Sequence, residues 1–374
     1  MNIAFVSNVV YPFVTGGAQK RIYEIGRRLA DEGHSVTVYG RHFWDGPREI
    51  THEEMTLRAV SPERDLYTDD RRSIPEAIEF AAHLFAPLRR QIDTHDVVDA
   101  SVFPYFPVLT TKASTLRTDV PLVTTWHEVW GSYWTDYLGS LAPFGNAVER
   151  LTAMVPQHPV AVSAVTADRL ARIGPSREQI SVVPNGVSVD EIAAISPAEE
   201  GFDVLFAGRH TSDKNVDILL DAFDRVADAH DATLGVIGEG PETDRLQRHA
   251  SQLGTADRIA FLGFLEEYED VLAHMHAADV FASASTREGF GITFVEAMAA
   301  DCTVVAAEHP ESAAREVVAD AGFLSAPTVE AFAATLDRAL GGERPPTEPR
   351  TAATHYDWGS IAEQIESVYR STLA

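Results

Sequence analysis

Ser285-Thr286-Arg287-Glu288-Gly289-Phe290-Gly291 runs through Ile292-Thr293 into Phe294-Val295-Glu296-Ala297-Met298 and sets two glutamates eight positions apart. Glu288 stands at a turn with two glycines, where a backbone without side-chain bulk can approach a ligand closely. Glu296 falls inside an apolar, helix-like run, and the spacing predicts that it faces the same cavity. Bare amides at a turn and carboxylates accepting from hydroxyls together suit a polyhydroxylated ligand. Taken alone, the pair fits a capped helix with two surface acids equally well.

Val280-Phe281-Ala282-Ser283 before this stretch and Thr303-Val304-Val305-Ala306 after it read as buried strands. The same alternation of strand and helix runs the length of the chain, as in parallel α/β architecture. It starts with Ile3 to Ser7, a helix opening at Gly16-Gly17-Ala18-Gln19-Lys20 and stopped by Gly33, and the strand Ser35 to Gly40. Val183-Pro184-Asn185-Gly186-Val187 reads as a break, and a second strand-first series begins at Phe202 to Gly208. A chain of 374 residues exceeds what one core usually serves. The expectation is an α/β chain of two Rossmann-like halves. Residues 1–184 form the first domain, 185–355 the second, and a helix over 356–374 packs back on the first. Ligands in such sheets sit beyond the carboxyl ends of the strands.

Composition narrows the chemistry. The net charge is −26, and lysine occurs only at Lys20, Lys112 and Lys214. Such a surface repels phosphate backbones, which argues against nucleic acid as a partner, and it weakens the case for a broad polybasic membrane patch. It suits a salt-rich cytosol, so a halophilic, cytoplasmic protein is expected. The amino terminus lacks the pattern of a signal peptide, and no apolar run is long enough to span a bilayer. The single cysteine, Cys302, reads as a small buried residue.

Several motifs fall at predicted strand ends. Gly208-Arg209 precedes Asp213-Lys214-Asn215, and in so acidic a chain Arg209 and Lys214 make a local cationic site fit for a diphosphate. The alternative for this cationic site is a surface ion pair with Asp213 or Asp217. Gly16-Gly17 would expose amides at a helix start, where the dipole favours an anion. Gly238-Glu239-Gly240-Pro241 and Gly263-Phe264 are further Gly-rich ends. His127, after the strand Leu122 to Thr125, could touch a substrate hydroxyl or stabilise developing charge, or be a buried structural histidine. Trp126, Trp130 and Trp134 are spaced by four; they suit stacking on sugars or lipid edges, though such a stripe is more often core. Metal-binding and serine-hydrolase signatures are missing from the sequence.

In their order along nearly the whole chain, these motifs resemble those of the retaining glycosyltransferases of family 4. They run from Gly16-Gly17-Ala18-Gln19 through Trp126-His127-Glu128 and Pro184-Asn185-Gly186 to Gly208-Arg209 with Lys214. Gly238-Glu239-Gly240-Pro241, Glu288-Gly289-Phe290-Gly291, Glu296 and Tyr356-Asp357-Trp358 complete the set. The resemblance implies the GT-B fold, two Rossmann-like domains facing across a cleft. It implies retaining transfer of a hexose-type sugar from a nucleotide-diphosphate sugar to a glycan or lipid-linked acceptor, with peripheral contact at the inner membrane face.

Arg209, Lys214, Glu288 and His127 would be the catalytic group. Gly16, Gly17, Gly208, Gly238, Phe264, Gly289, Phe290, Gly291, Ile292 and Glu296 would bind the donor. No cofactor and no metal are implied, the nucleotide sugar being a co-substrate. Two departures concern the turn Ala299-Ala300-Asp301-Cys302, where many relatives carry a glycine, and Glu308-His309-Pro310-Glu311-Ser312, in place of a Gly-Gly-x-x-Glu loop. Two other readings compete: a catalytically inactive GT-B scaffold, and a GT-B phosphorylase, which would need a pyridoxal-binding lysine.

Overall fold

Alternate residues of the first strand, β1 (Asn2–Val6), serve two different cores. Ala4 and Val6 pack with Phe80, Leu84 and Val98, while Ile3 and Phe5 pack with Ile25 and Val36. A strand's side chains alternate between faces, so a sheet with helices on both sides needs apolar residues at every position. The computed structural model describes residues 1–14, 16–68 and 71–373. Its chain divides into two units, Met1–Asn185 with Trp358–Ala374, and Gly186–Asp357.

In the first unit β1 is followed by β2 (Ser35–His42), β3 (Glu49–His52) and β4 (Met55–Pro62). A short antiparallel ribbon, β5 (Tyr67–Thr68) and β6 (Arg71–Arg72), comes next. β7 (Val97–Ser101), β8 (Leu122–Trp126), β9 (His158–Ala161) and β10 (Ser181–Val182) complete it. The main sheet has the order β10-β9-β8-β7-β1-β2-β4-β3, and within it β3 pairs antiparallel to β4. Five helices matter below: α1 (Gly17–Asp31), α2 (Ile74–Gln91), α3 (Phe106–Thr115), α4 (Tyr133–Leu138) and α5 (Ala142–Met154). The start of α2 follows a familiar local rule. Ser73 accepts from the Glu76 amide, and Pro75 occupies the first turn, where its missing N–H costs nothing.

The helix Trp358–Leu373 belongs to this first unit. Trp358, Ile361, Ile365 and Tyr369 enter the core beside Ile3 and Phe5, and the Tyr369 hydroxyl donates to Asp99 Oδ2 at 2.6 Å. Where the chain leaves the unit, Arg21 is almost fully buried. Its guanidinium donates to the carbonyls of Val183 and Pro184 and to the Asn185 side chain.

The second unit is a parallel sheet throughout. Its strands are β11 (Val204–Ala207), β12 (Leu234–Ile237), β13 (Ile259–Gly263), β14 (Val280–Ser283), β15 (Thr303–Ala307) and β16 (Gly322–Ser325). Their order is β13-β12-β11-β14-β15-β16, with β11 central and Phe206, Leu219, Phe223 and Val236 in its core. The unit extends to Asp357 because the Val187 amide donates to the Tyr356 carbonyl at 2.8 Å.

Candidate donor site in the second unit

Parallel strands deliver their carboxyl ends to one edge, and here those of β11, β12 and β13 meet. Gly208 follows β11 and Gly238 follows β12, in backbone contact so close that a Cβ on Gly238 would collide with the Gly208 carbonyl oxygen. Gly238 also has φ +115, a conformation that residues with a side chain rarely adopt. Only bare backbone fits, so the two strand ends form a smooth floor. The cleft above it holds about 440 Å³ and is lined by Gly208, Arg209, Gly238, Glu239, Phe264, Tyr268 and Glu296.

Its lining residues differ in character. Arg209 is exposed and makes no ion pair among the described residues. Phe264 lies 71% exposed after β13 and offers an apolar ring at the edge of the cleft. Glu296, on the helix Ile292–Ala299, is almost fully buried, and Tyr268 donates its hydroxyl to Glu296 Oε1. An apolar ring, a buried acceptor and a cation lining one cleft suit a ligand with an aromatic base, vicinal hydroxyls and an anionic tail.

The second member of the cation pair lies elsewhere. Lys214 Nζ stands 2.5 Å from Glu288 Oε1, with both side chains mostly buried. Neither Asp213 nor Asp217 takes it: Asp217 pairs with Arg245 instead. Glu288 is absent from the lining of the cleft, so the expectation that both glutamates face one cavity holds for Glu296 alone. The cause is local. Glu288 makes an isolated parallel bridge to Ser312, and the Ala313 amide donates to the Glu288 carbonyl. Lys214 is held from the other side by a left-handed Asn215, whose side-chain amide donates to the Ala284 carbonyl and Thr286 Oγ1. Two residues singled out as separate catalytic groups are thus partners.

Gly289 to Ile292 make the turn into the Glu296 helix. Gly291 caps it at φ +83, and a Cβ there would strike the Phe294 ring. Phe290 is buried with its ring edge-on to Tyr356, at 5.5 Å between centroids, so it offers its amide rather than its ring. At the departing turn after this helix, Asp301 adopts φ +70, the conformation a glycine would take there. Cys302 is buried, its thiol donates to the Met275 carbonyl, and burial pushes its pKa up to about 12.

Gly16, Gly17 and His127 belong to the first unit. Gly16 caps α1 and Gly17 opens it. His127 lines a small recess with Arg21, Asp99, Ser101 and Thr125. Burial, then the nearby Arg21 charge, pushes its pKa down to about 3, so the imidazole is neutral. A neutral ring can donate one hydrogen bond and accept another. The tryptophans form no helical stripe: Trp126 ends β8, Trp134 lies in α4, and both are buried. The residues that sequence reasoning missed are Tyr268, Thr293 and Val271 in the cleft wall. They carry no motif and reach the site through helix packing alone.

The family described as "Glycosyl transferases group 1" matches residues 188–358, and "Glycosyltransferase Family 4" matches residues 15–191. The chain is 35% identical over 181 residues to a phosphatidyl-myo-inositol mannosyltransferase of Mycobacterium leprae, covering 46% of this chain and 47% of that one. It therefore spans about half the length of the first curated relatives that it matches. It is 27% identical over 395 residues to a glycogen synthase of Mycobacterium tuberculosis, covering 99% and 94%. HepE of Anabaena, solved with UDP-glucose, superposes with a TM-score of 0.73 at 20% identity over 99% of this chain and 100% of that one.

Proposed function

We propose, since the chain belongs to family 4 of the glycosyltransferases and has the GT-B fold, that it is a retaining hexosyltransferase using a nucleotide-diphosphate sugar. The observation that carries this reading is the cleft at the ends of β11 to β13, with exposed Arg209, the Gly208–Gly238 floor and buried Glu296. Glu296 would accept from the ribose hydroxyls and Phe264 would cover the base. Arg209, together with the amides at Gly208 and Gly238, would hold the diphosphate. The neighbouring complex of HepE with UDP-glucose supports a nucleotide sugar as ligand.

Lys214 would neutralise the distal phosphate. An ammonium has three donors, so it can keep Glu288 and still bind an oxyanion. Glu288 then both aims Lys214 and accepts a sugar hydroxyl, and the amides of Gly289 to Ile292 hold the same sugar. From the first unit, Gly16 and Gly17 would bind the diphosphate and neutral His127 a sugar hydroxyl, roles that rest on the family resemblance. Transfer breaks the bond from the anomeric carbon to the phosphate oxygen and forms one from the acceptor oxygen on the same face. The acceptor's proton passes to the departing phosphate. Charge stabilisation by these cations and amides gives the leaving group what it requires without a metal or cofactor. The acceptor is a glycan or lipid-linked glycan, a choice supported by the mannosyltransferase relatives.

The test is a thermal-shift titration in high salt with UDP, GDP and ADP and their sugars. One base should raise the melting temperature. Glu296→Ala should weaken its binding by about 1–3 kcal/mol, the cost of unpaired hydroxyls. Equal affinity in the variant contradicts the ribose role, and no shift with any nucleotide favours a non-catalytic scaffold.

A further inference from the structure

We infer that Tyr268 stands in for a ribose hydroxyl: its phenol holds the Glu296 carboxylate while the cleft is empty and is displaced when a nucleotide binds. This role rests on the nucleotide reading of the cleft. Tyr268 opens the helix Tyr268–His276, shortly after β13. The second half of that helix is fixed in the unit. Leu272 and Met275 are buried, the Ala273 carbonyl accepts from the Ala198 amide, and the Met275 carbonyl accepts from the Cys302 thiol. Its first turn is different: Tyr268, Glu269 and Asp270 are exposed, as are Glu266 and Glu267 before it. The tyrosine is therefore carried on a fixed axis, while its side chain has room to change rotamer without disturbing the core.

Glu296 arrives from another direction, on the apolar helix Ile292–Ala299. It lines the cleft, yet it is only 3% exposed, whereas Tyr268 is 43% exposed and donates its hydroxyl to Glu296 Oε1. A buried carboxylate without donors is costly, and the phenol supplies one from a residue that lines the same cleft. A phenol and a sugar hydroxyl are equivalent donors to a carboxylate oxygen. A ribose entering the cleft thus meets the Tyr268 hydroxyl at the acceptor that its own hydroxyl needs. It brings two donors in exchange for one, so the exchange favours the nucleotide. The bond from Tyr268 belongs to the empty state alone, and apparent affinity is reduced by the fraction of molecules in which the tyrosine has not yet swung away. Tyr268 in this way keeps Glu296 satisfied before the donor arrives and tempers how tightly the nucleotide is held.

Titration calorimetry tests this with UDP, GDP and ADP on the wild-type chain, on Tyr268→Phe, on Glu296→Ala and on the double variant. The nucleotide that binds the wild-type chain should bind Tyr268→Phe about threefold to tenfold more tightly, the worth of one hydrogen bond lost from the empty state. The ligand-free Tyr268→Phe protein should at the same time melt at a lower temperature than the wild type. In the Glu296→Ala background the same change should leave Kd within about twofold, which separates loss of the phenol bond from a gain in apolar contact. Equal or weaker nucleotide binding by Tyr268→Phe overturns the proposal, as does the same gain in the Glu296→Ala background; in either case the donor reading stands. If none of the three nucleotides binds the wild-type chain, the donor reading falls and the role of Tyr268 falls with it.

Discussion

His127 couples acid sensitivity to the first unit. In the unfolded chain its imidazole takes a proton near pH 6.5; in the fold, burial and Arg21 hold that off until about 3. His95, buried with its Nε2 against the Tyr39 hydroxyl, is pushed down to about 4, chiefly by burial. Between these limits the unfolded state binds more protons, so stability is complete above pH 6.5 and falls as pH drops through the window. His127→Gln should flatten the acid limb of a denaturant-unfolding series by up to about 1.4 kcal/mol per pH unit. An unchanged limb would mean that His127 is already charged in the fold. The pH–rate profile should likewise show no step near 6.5 from this residue.

At the scale of elements, Glu149 on α5 organises the aromatic segment before and within α4. One oxygen accepts from the Tyr105 hydroxyl at 2.9 Å and the Trp130 amide at 2.7 Å. The other accepts from the Gly131 amide at 3.1 Å and Trp134 Nε1 at 3.2 Å. Removing the carboxylate leaves four donors in a nearly dry interior. Glu149→Ala should cost about 3 kcal/mol or more in denaturant unfolding, with a loss of tryptophan near-ultraviolet dichroism. A cost below about 1 kcal/mol would show that water replaces it.

The strands and the Gly-rich strand ends were legible in the sequence because apolar runs and glycines report local backbone demands. Glu296 was legible for the same reason: a charge inside an apolar helix must face something polar. The partnership of Lys214 with Glu288 was not, since it joins positions 74 apart in the chain. Tyr268 was equally invisible, as its contact with Glu296 depends on how two helices pack. The tryptophan spacing suggested one face, but Trp126 lies on a strand, where the helical period has no meaning.

For the molecule as a whole, the excess of acid over base sets the expected response to salt. Fifty-six acidic groups against thirty basic ones repel one another at low ionic strength. The melting temperature should rise steeply between about 0.1 M and about 3 M KCl, since screening shortens the reach of charge to a few ångströms. A flat response would contradict a halophilic setting and leave the acid content to solubility alone.

The helix Trp358–Leu373 has a consequence for the order in which the molecule can be made. Domains fold as units while the chain emerges, the amino-terminal part first. Here the first unit lacks Trp358, Ile361, Ile365 and Tyr369 until after residue 357 has been synthesised. Asp99 meanwhile waits, buried, for a hydroxyl that is 270 positions away. The sheet translated first is therefore the one completed last, and the second unit, whose 172 residues are contiguous from Gly186 to Asp357, can finish before it.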